Sequence, residues 1–151
     1  MKLLDDIHHL AILTADIDRL IAFYERILDA GVTMDLEEDG LRHAFITVGP
    51  HTVLHAFQVP GLVPPTDQPI FRRGRLDHFA LRAASEDAFL ELRRRLVTEG
   101  AAVGAVTDMG SLLNFAFVDP DGGRNEVVWV KPGVPVERGL RRAEWTVAEI
   151  E

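Results

Sequence analysis

Apolar and polar residues alternate and cluster in the same order twice along the chain. The run Ile7-His8-His9-Leu10-Ala11-Ile12-Leu13 is matched by Leu76-Asp77-His78-Phe79-Ala80-Leu81-Arg82, and in each a His precedes apolar, Ala, apolar. Such short runs predict strands over 7–13 and 76–82. After the first, Ile17, Leu20, Ile21, Tyr24, Ile27 and Leu28 recur at three- and four-residue spacing. That predicts a helix capped by Asp16 and running to about Leu28, stopped by Asp29-Ala30-Gly31 with Gly31 suited to a left-handed cap. Strand-like runs follow at Val32–Leu36, Leu41–Val48 and Thr52–Val59, separated by the turns Glu38-Asp39-Gly40 and Gly49-Pro50-His51. After the second run, Ser85 caps a predicted helix over 86–99 that ends at Glu99-Gly100. Three more strand-like runs come next: Ala102–Val106 (interrupted by Gly104), Leu113–Val118 and Asn125–Val130, the last two joined by Asp119-Pro120-Asp121-Gly122-Gly123.

Each half therefore reads strand, helix, three strands, which is the mark of a duplicated unit. Residues 1–59 form the first module and 71–131 the second. Between them, residues 60–69 hold four prolines and one glycine, so 60–70 reads as a connector. The tail, 132–151, reads as charged and irregular, with Trp145 packing on the body or on a second subunit. The Arg93-Arg94-Arg95 cluster reads as a solvated helix face beside Glu91 and Glu99.

The duplication can be registered. A shift of 69 residues carries His9 onto His78, and one of 71 carries His55 onto Glu126. In strand alternation Leu10 and Ile12 match Phe79 and Leu81 on the helix side, leaving His9 and His78 on the opposite face. Val53, His55 and Phe57 share a face, as do Arg124, Glu126 and Val128. Each module thus offers one metal-capable group on its first strand and another on its last. Pairing the modules would bring His9, His55, His78 and Glu126 together. Three imidazoles and a carboxylate suit Zn, Ni, Co, Mn or Fe(II), and suit Ca or Mg poorly. His8 falls with Leu10 and Ile12 and is passed over for His9. His43 and His51 lack counterparts in the other half and read as surface or pocket-edge residues.

Composition narrows the function. With 151 residues the chain suffices for one domain or two small subdomains, and 47% apolar residues are ordinary for a globular protein. The net charge of −8 argues against nucleic acid as partner. No cysteine is present, which excludes disulfides and thiolate sites and accords with a reducing cytoplasm. Neither a signal peptide nor a membrane-spanning run is expected.

Four segments carry a resemblance. They are His9-Leu10-Ala11-Ile12 with Asp16, Ala22-Phe23-Tyr24-Glu25-Arg26-Ile27-Leu28, Asp77-His78-Phe79-Ala80-Leu81, and Phe117-Val118-Asp119-Pro120-Asp121-Gly122 with Glu126 four residues on. Over roughly residues 5–131 the chain resembles the vicinal oxygen chelate superfamily. That superfamily includes glyoxalase I, methylmalonyl-CoA epimerase, extradiol dioxygenases, and fosfomycin- and bleomycin-resistance proteins. The resemblance implies an α+β fold of two βαβββ modules forming an open, cupped mixed sheet with helices on the convex side. It implies a divalent transition metal held by His9, His55, His78 and Glu126, and a homodimer. In such proteins the ion takes two neighbouring oxygens of a small substrate and acts as a Lewis acid where charge develops.

One departure shapes the expected chemistry. Where glyoxalase I-like members carry a carboxylate and epimerases a Gln, this chain has His55. Glu126 is then the one ligand carboxylate available as base. The function expected from the resemblance is a metal-dependent lyase or isomerase acting on a substrate with vicinal oxygens. The alternatives are an extradiol-type dioxygenase using Fe(II) or Mn(II), and a metal-free, bleomycin-resistance-like binding protein. Arg42, Arg82 and Arg124 are the candidates for gripping a substrate, and Asp108, Met109 and Ser111 for lining its pocket.

Overall fold

Asp16 and Ser85 start the two helices as their side chains dictate. In the computed structural model, which describes residues 3, 7–63, 76–135 and 145–150, an Asp16 carboxylate oxygen accepts from the Arg19 N–H at 3.0 Å. Ser85 Oγ accepts from the Ala88 N–H at 3.1 Å. The helices run Ile17–Leu28 (α1) and Glu86–Glu99 (α2). The strands are His9–Thr14 (β1), Gly31–Glu38 (β2), Leu41–Gly49 (β3), Thr52–Gln58 (β4), Ala80–Arg82 (β5), Ala102–Asp108 (β6), Leu112–Val118 (β7), Arg124–Val130 (β8) and Thr146–Val147 (β9). The chain divides into two compact units, Met1–Pro64 and Pro65–Glu151. Residues 64–70 of the expected connector lie outside the described residues, as does 136–144 of the tail.

The first unit is a four-stranded mixed sheet in the order β1-β4-β3-β2, with β1 parallel to β4 and the other pairs antiparallel. Ile17, Leu20, Tyr24 and Ile27 of α1 are buried, as are Ala44, Ile46, Leu54 and Ala56 on the sheet face that α1 covers. Burying each large side chain of this set contributes about 1.5–3 kcal/mol. The second unit repeats the plan as β5-β8-β7-β6, again with the first and last strands of the module parallel. Phe89 and Leu96 of α2 are buried with Phe115, Phe117 and Val127, and the Phe89 and Phe115 rings meet edge to face at 5.0 Å. The molecule is thus α+β, two βαβββ modules with a helix on one face of each sheet, as expected.

Four details differ from the sequence reading. α1 ends at Leu28, so Asp29 takes the left-handed conformation (φ 52°), and Gly31 opens β2 instead. Asp tolerates that region better than most residues. The strand expected over 76–82 shrinks to Ala80–Arg82. Just ahead of it, the Phe79 N–H faces the Asn125 side-chain oxygen at 3.5 Å rather than a strand carbonyl. The tail is not wholly irregular: β9 pairs antiparallel with β6. Arg93 is not part of a solvated face. It donates to the Gly104 carbonyl at 2.7 Å and its guanidinium lies over the Phe115 ring, while Arg94 and Arg95 pair with Glu91.

The Asp119–Gly123 turn sets where β8 starts. One Asp119 carboxylate oxygen accepts from the Asp121 and Gly123 N–H groups at 3.0 and 2.8 Å, an Asx-type closure. A Cβ on Gly123 would lie 2.5 Å from the other Asp119 carboxylate oxygen, so a larger residue there would displace the carboxylate that closes the turn.

Candidate functional site

The face of each sheet turned away from its helix carries the candidate ligands. In the first unit, β1 and β4 align with Ala11 opposite His55, which puts His9 on the same face one step back. The His9 and His55 rings meet edge-on, with centroids 5.6 Å apart. In the second unit, β5 and β8 align with Ala80 opposite Glu126, and His78 precedes Ala80 by two residues. His78 Nε2 lies 3.9 Å from a Glu126 carboxylate oxygen. The two units therefore reproduce one register: a His, then two residues on an Ala that faces the second candidate across the parallel pair. Among the described residues no three His, Cys, Asp or Glu side chains gather into a metal-binding group; the candidates come two to a unit.

Second partners orient these rings. Asp77 accepts from His78 Nδ1 at 2.8 Å, which fixes the tautomer and leaves Nε2 toward Glu126. A carboxylate behind the imidazole is a common arrangement for a ligating His. Asp77 stood in the quoted sequence motif without a role; its position next to a candidate His was the signal. His43 is the other partner missed. Its Nδ1 is 2.9 Å from His55 Nε2, so it is no isolated edge residue. The short Gly49-Pro50-His51 turn registers β3 on β4 with His43 opposite Phe57, one diagonal from His55. Counting back from that turn could have found it. The His43 ring also stacks on Phe57 at 5.4 Å. His8, passed over, reaches His9 with Nδ1 to Nδ1 at 3.0 Å. His51 edges a cavity of about 380 Å³ that His8 and Pro50 also line.

Burial lowers the His55 pKa below its ordinary 6.5, and the neighbouring His43 and His9 push the same way. The neutral ring is the form a metal needs. The sign follows for stability: an unfolded His55 titrates near 6.5, while the folded one resists protonation. Below that pH the unfolded chain binds more protons, and stability falls as pH falls. We expect the urea midpoint to drop as pH is lowered through 6.5, with a shallower drop in His55→Gln.

The candidate substrate-gripping residues fall in different places. Arg42 lies on the helix side of β3, paired with Asp18 of α1 and Asp35 of β2 at 2.8 Å each, and so is no part of the open face. Arg82 is exposed on β5. Arg124 lines a cavity of about 430 Å³ together with Glu126, Met109 and Trp145. Trp145, read as a packing residue, thus also walls the space beside Glu126. Asp108 is committed to Lys131, at 2.7 and 2.8 Å, and Ser111 is buried.

Comparison with known proteins agrees with the fold. The family model described as Glyoxalase/Bleomycin resistance protein/Dioxygenase superfamily matches residues 6–127. A glyoxylase/bleomycin resistance protein/dioxygenase domain from Frankia sp. EAN1pec is similar in structure, with a TM-score of 0.73 and 23% identity over 85% of this chain and 99% of that one. A glutamate-to-glutamine mutant of the fosfomycin resistance protein FosX from Listeria monocytogenes was solved with Mn(II) and 1S,2S-dihydroxypropylphosphonic acid. It matches with a TM-score of 0.62 and 14% identity, over 83% of this chain and 92% of that one. TnmS3, an antibiotic binding protein from Streptomyces sp. CB03234, matches at 0.62 with 19% identity over 87% and 100%. No curated protein matches the chain in sequence. Among the described residues no helix is long and apolar enough to cross a membrane.

Proposed function

The chain belongs to the Glyoxalase/Bleomycin resistance protein/Dioxygenase superfamily, and from that premise we propose that it is a divalent-metal-dependent enzyme of lyase or isomerase type. Its substrate is a small molecule with vicinal oxygens, and the metal is held by His9, His55, His78 and Glu126. The observation that carries this reading is the repeated register, Ala11 opposite His55 and Ala80 opposite Glu126, each with a His two residues earlier. The donor set fits: three imidazoles and one carboxylate suit Zn, Ni, Co, Mn or Fe(II). Asp77 holds His78 in the tautomer a ligand needs, and His55 is kept neutral by burial.

Bound there, the ion supplies Lewis acidity where negative charge develops on substrate oxygen. The chain's own part is proton handling and shape. Glu126 is the carboxylate on this face, half-buried and next to His78 Nε2, and it takes the proton from the carbon beside the substrate carbonyl. His43 holds one nitrogen of His55, so ligation by His55 uses Nδ1 or displaces His43. A homodimer in the cytoplasm accompanies this reading.

A second reading is favoured by the rings on the first unit's open face. Phe45, Phe57 and His43 surround His55 at centroid distances of 4.5, 4.0 and 5.1 Å. Such a surface suits a planar ligand, and TnmS3 is an antibiotic binding protein. Elemental analysis of protein purified without chelator separates the readings. Near-stoichiometric Ni, Co or Zn supports proton-transfer chemistry. Iron moves the assignment to an extradiol-type dioxygenase, and no metal with tight binding of a planar drug moves it to sequestration.

Asp77→Asn tests the orienting role. The amide no longer demands an N–H from Nδ1, so metal affinity is expected to fall about 10–100-fold while the fold is kept. Unchanged affinity by competition with a chromogenic chelator would remove Asp77 from the site.

A further inference from the structure

The two modules have diverged on their open faces. Where the first carries His43 and Phe45 on β3, the second carries Asn114 and Ala116 at the same register, Phe45 opposite His55 and Ala116 opposite Glu126. The first face is filled with rings. The second is hollow: the cavity of about 430 Å³ stands over Ala116 and is walled by Trp145.

Into this hollow the chain sets donors. Arg124 and Asn114 share the Glu126 face of β8 and β7, and Thr107, opposite Asn114 on β6, adds a hydroxyl. Asn114 is 7% exposed. Arg124 Nε is shielded from solvent and has no hydrogen-bond partner. Among the described residues no carboxylate forms an ion pair with Arg124, although Glu126 stands two residues along the same strand. A guanidinium donor held out of water with nothing to bind is costly, and it is the group that best matches the paired oxygens of an oxyanion. The first unit has Val53 at the corresponding place, so this feature belongs to the second module alone.

The geometry points to an oxyanion subsite on the second unit, in which Arg124, with Asn114 and Thr107, grips a carboxylate or phosphate-type group of the substrate. The subsite deepens the function proposed above, resting on it for the role of Glu126, and names the substrate class as a small oxyanion. Trp145 closes over the body of that substrate, which places its reactive carbon next to Glu126.

The test uses the full chain freed of metal by chelator, titrated separately with acetate and with inorganic phosphate. Binding is followed by NMR at the Arg Nε–H and Trp indole N–H signals. Saturable shifts are expected with at least one anion, weakened about ten- to hundred-fold in Arg124→Met. Ala116→Phe, which refills the hollow as the first module does, weakens binding too, whereas Arg26→Ala, on the exposed side of α1 in the other unit, leaves it unchanged. Saturation by acetate alone assigns a carboxylate, and by phosphate alone a phosphate or phosphonate; either supports the subsite. Neither anion saturating, or Arg124→Met binding as the parent does, would overturn it. Because metal is absent, that failure leaves metal uptake untested, and failed metal uptake leaves the subsite standing.

Discussion

His78→Ala protein folds and takes up no divalent metal. The imidazole removed is the ring that Asp77 holds at 2.8 Å and whose Nε2 lies 3.9 Å from Glu126. Without it the second unit offers one ligand, Glu126, and the set of four drops to three with its best-oriented member gone. Structural cost is small, because His78 precedes β5 and is not part of a buried core. Transition-metal affinity rests on ligand number and geometry, so loss of one oriented imidazole is expected to lower metal content from near one per chain to background. Metal analysis after dialysis, with circular dichroism for the fold, checks it. A His78→Ala protein that retains its metal would refute the four-residue assignment.

Phe89→Ala is expected to destabilise by about 3–5 kcal/mol, the cost of emptying a large aromatic site in a core. Phe89 is wholly buried and meets Phe115 edge to face at 5.0 Å, and the Arg93 guanidinium lies over the Phe115 ring at 5.3 Å. Phe115 sits next to Asn114 and Ala116 on β7, with its side chain on the opposite face from theirs. Loosening it loosens the floor of the cavity as well. Urea unfolding followed by tryptophan fluorescence should show the shift, since Trp129 and Trp145 both lie in the second unit. A change under about 1 kcal/mol would mean that the site collapses to fill the space.

Much of the fold was legible because its determinants are local. Asp16 and Ser85 cap helices by accepting N–H groups three residues on, and Asp39-Gly40 both take positive φ to close the β2–β3 hairpin. The period of two along β1 and β4 put His9 and His55 on one face. Less legible were contacts that depend on partner strands. His43 reaches His55 across a ladder, the Phe79 N–H just ahead of β5 meets the Asn125 side chain, and β9 pairs with β6 from far along the chain. Arg42 was a candidate because charge alone does not say which face of β3 it takes; Asp18 and Asp35 claim it for the helix side. The hollow over Ala116 depends on a small residue where its counterpart is Phe45. Pattern sees both as apolar and cannot see the empty volume.

β9 is two residues long, and its contribution exceeds its size. Pairing Thr146 with Asp108 and Val147 with Thr107 covers the last two residues of β6 at the flank of the second sheet. Left bare, that margin of β6 would show unsatisfied amides and carbonyls to solvent, the kind of template on which other chains add strands. The same few residues that position an indole beside Glu126 thus also discourage end-on polymerisation at that border.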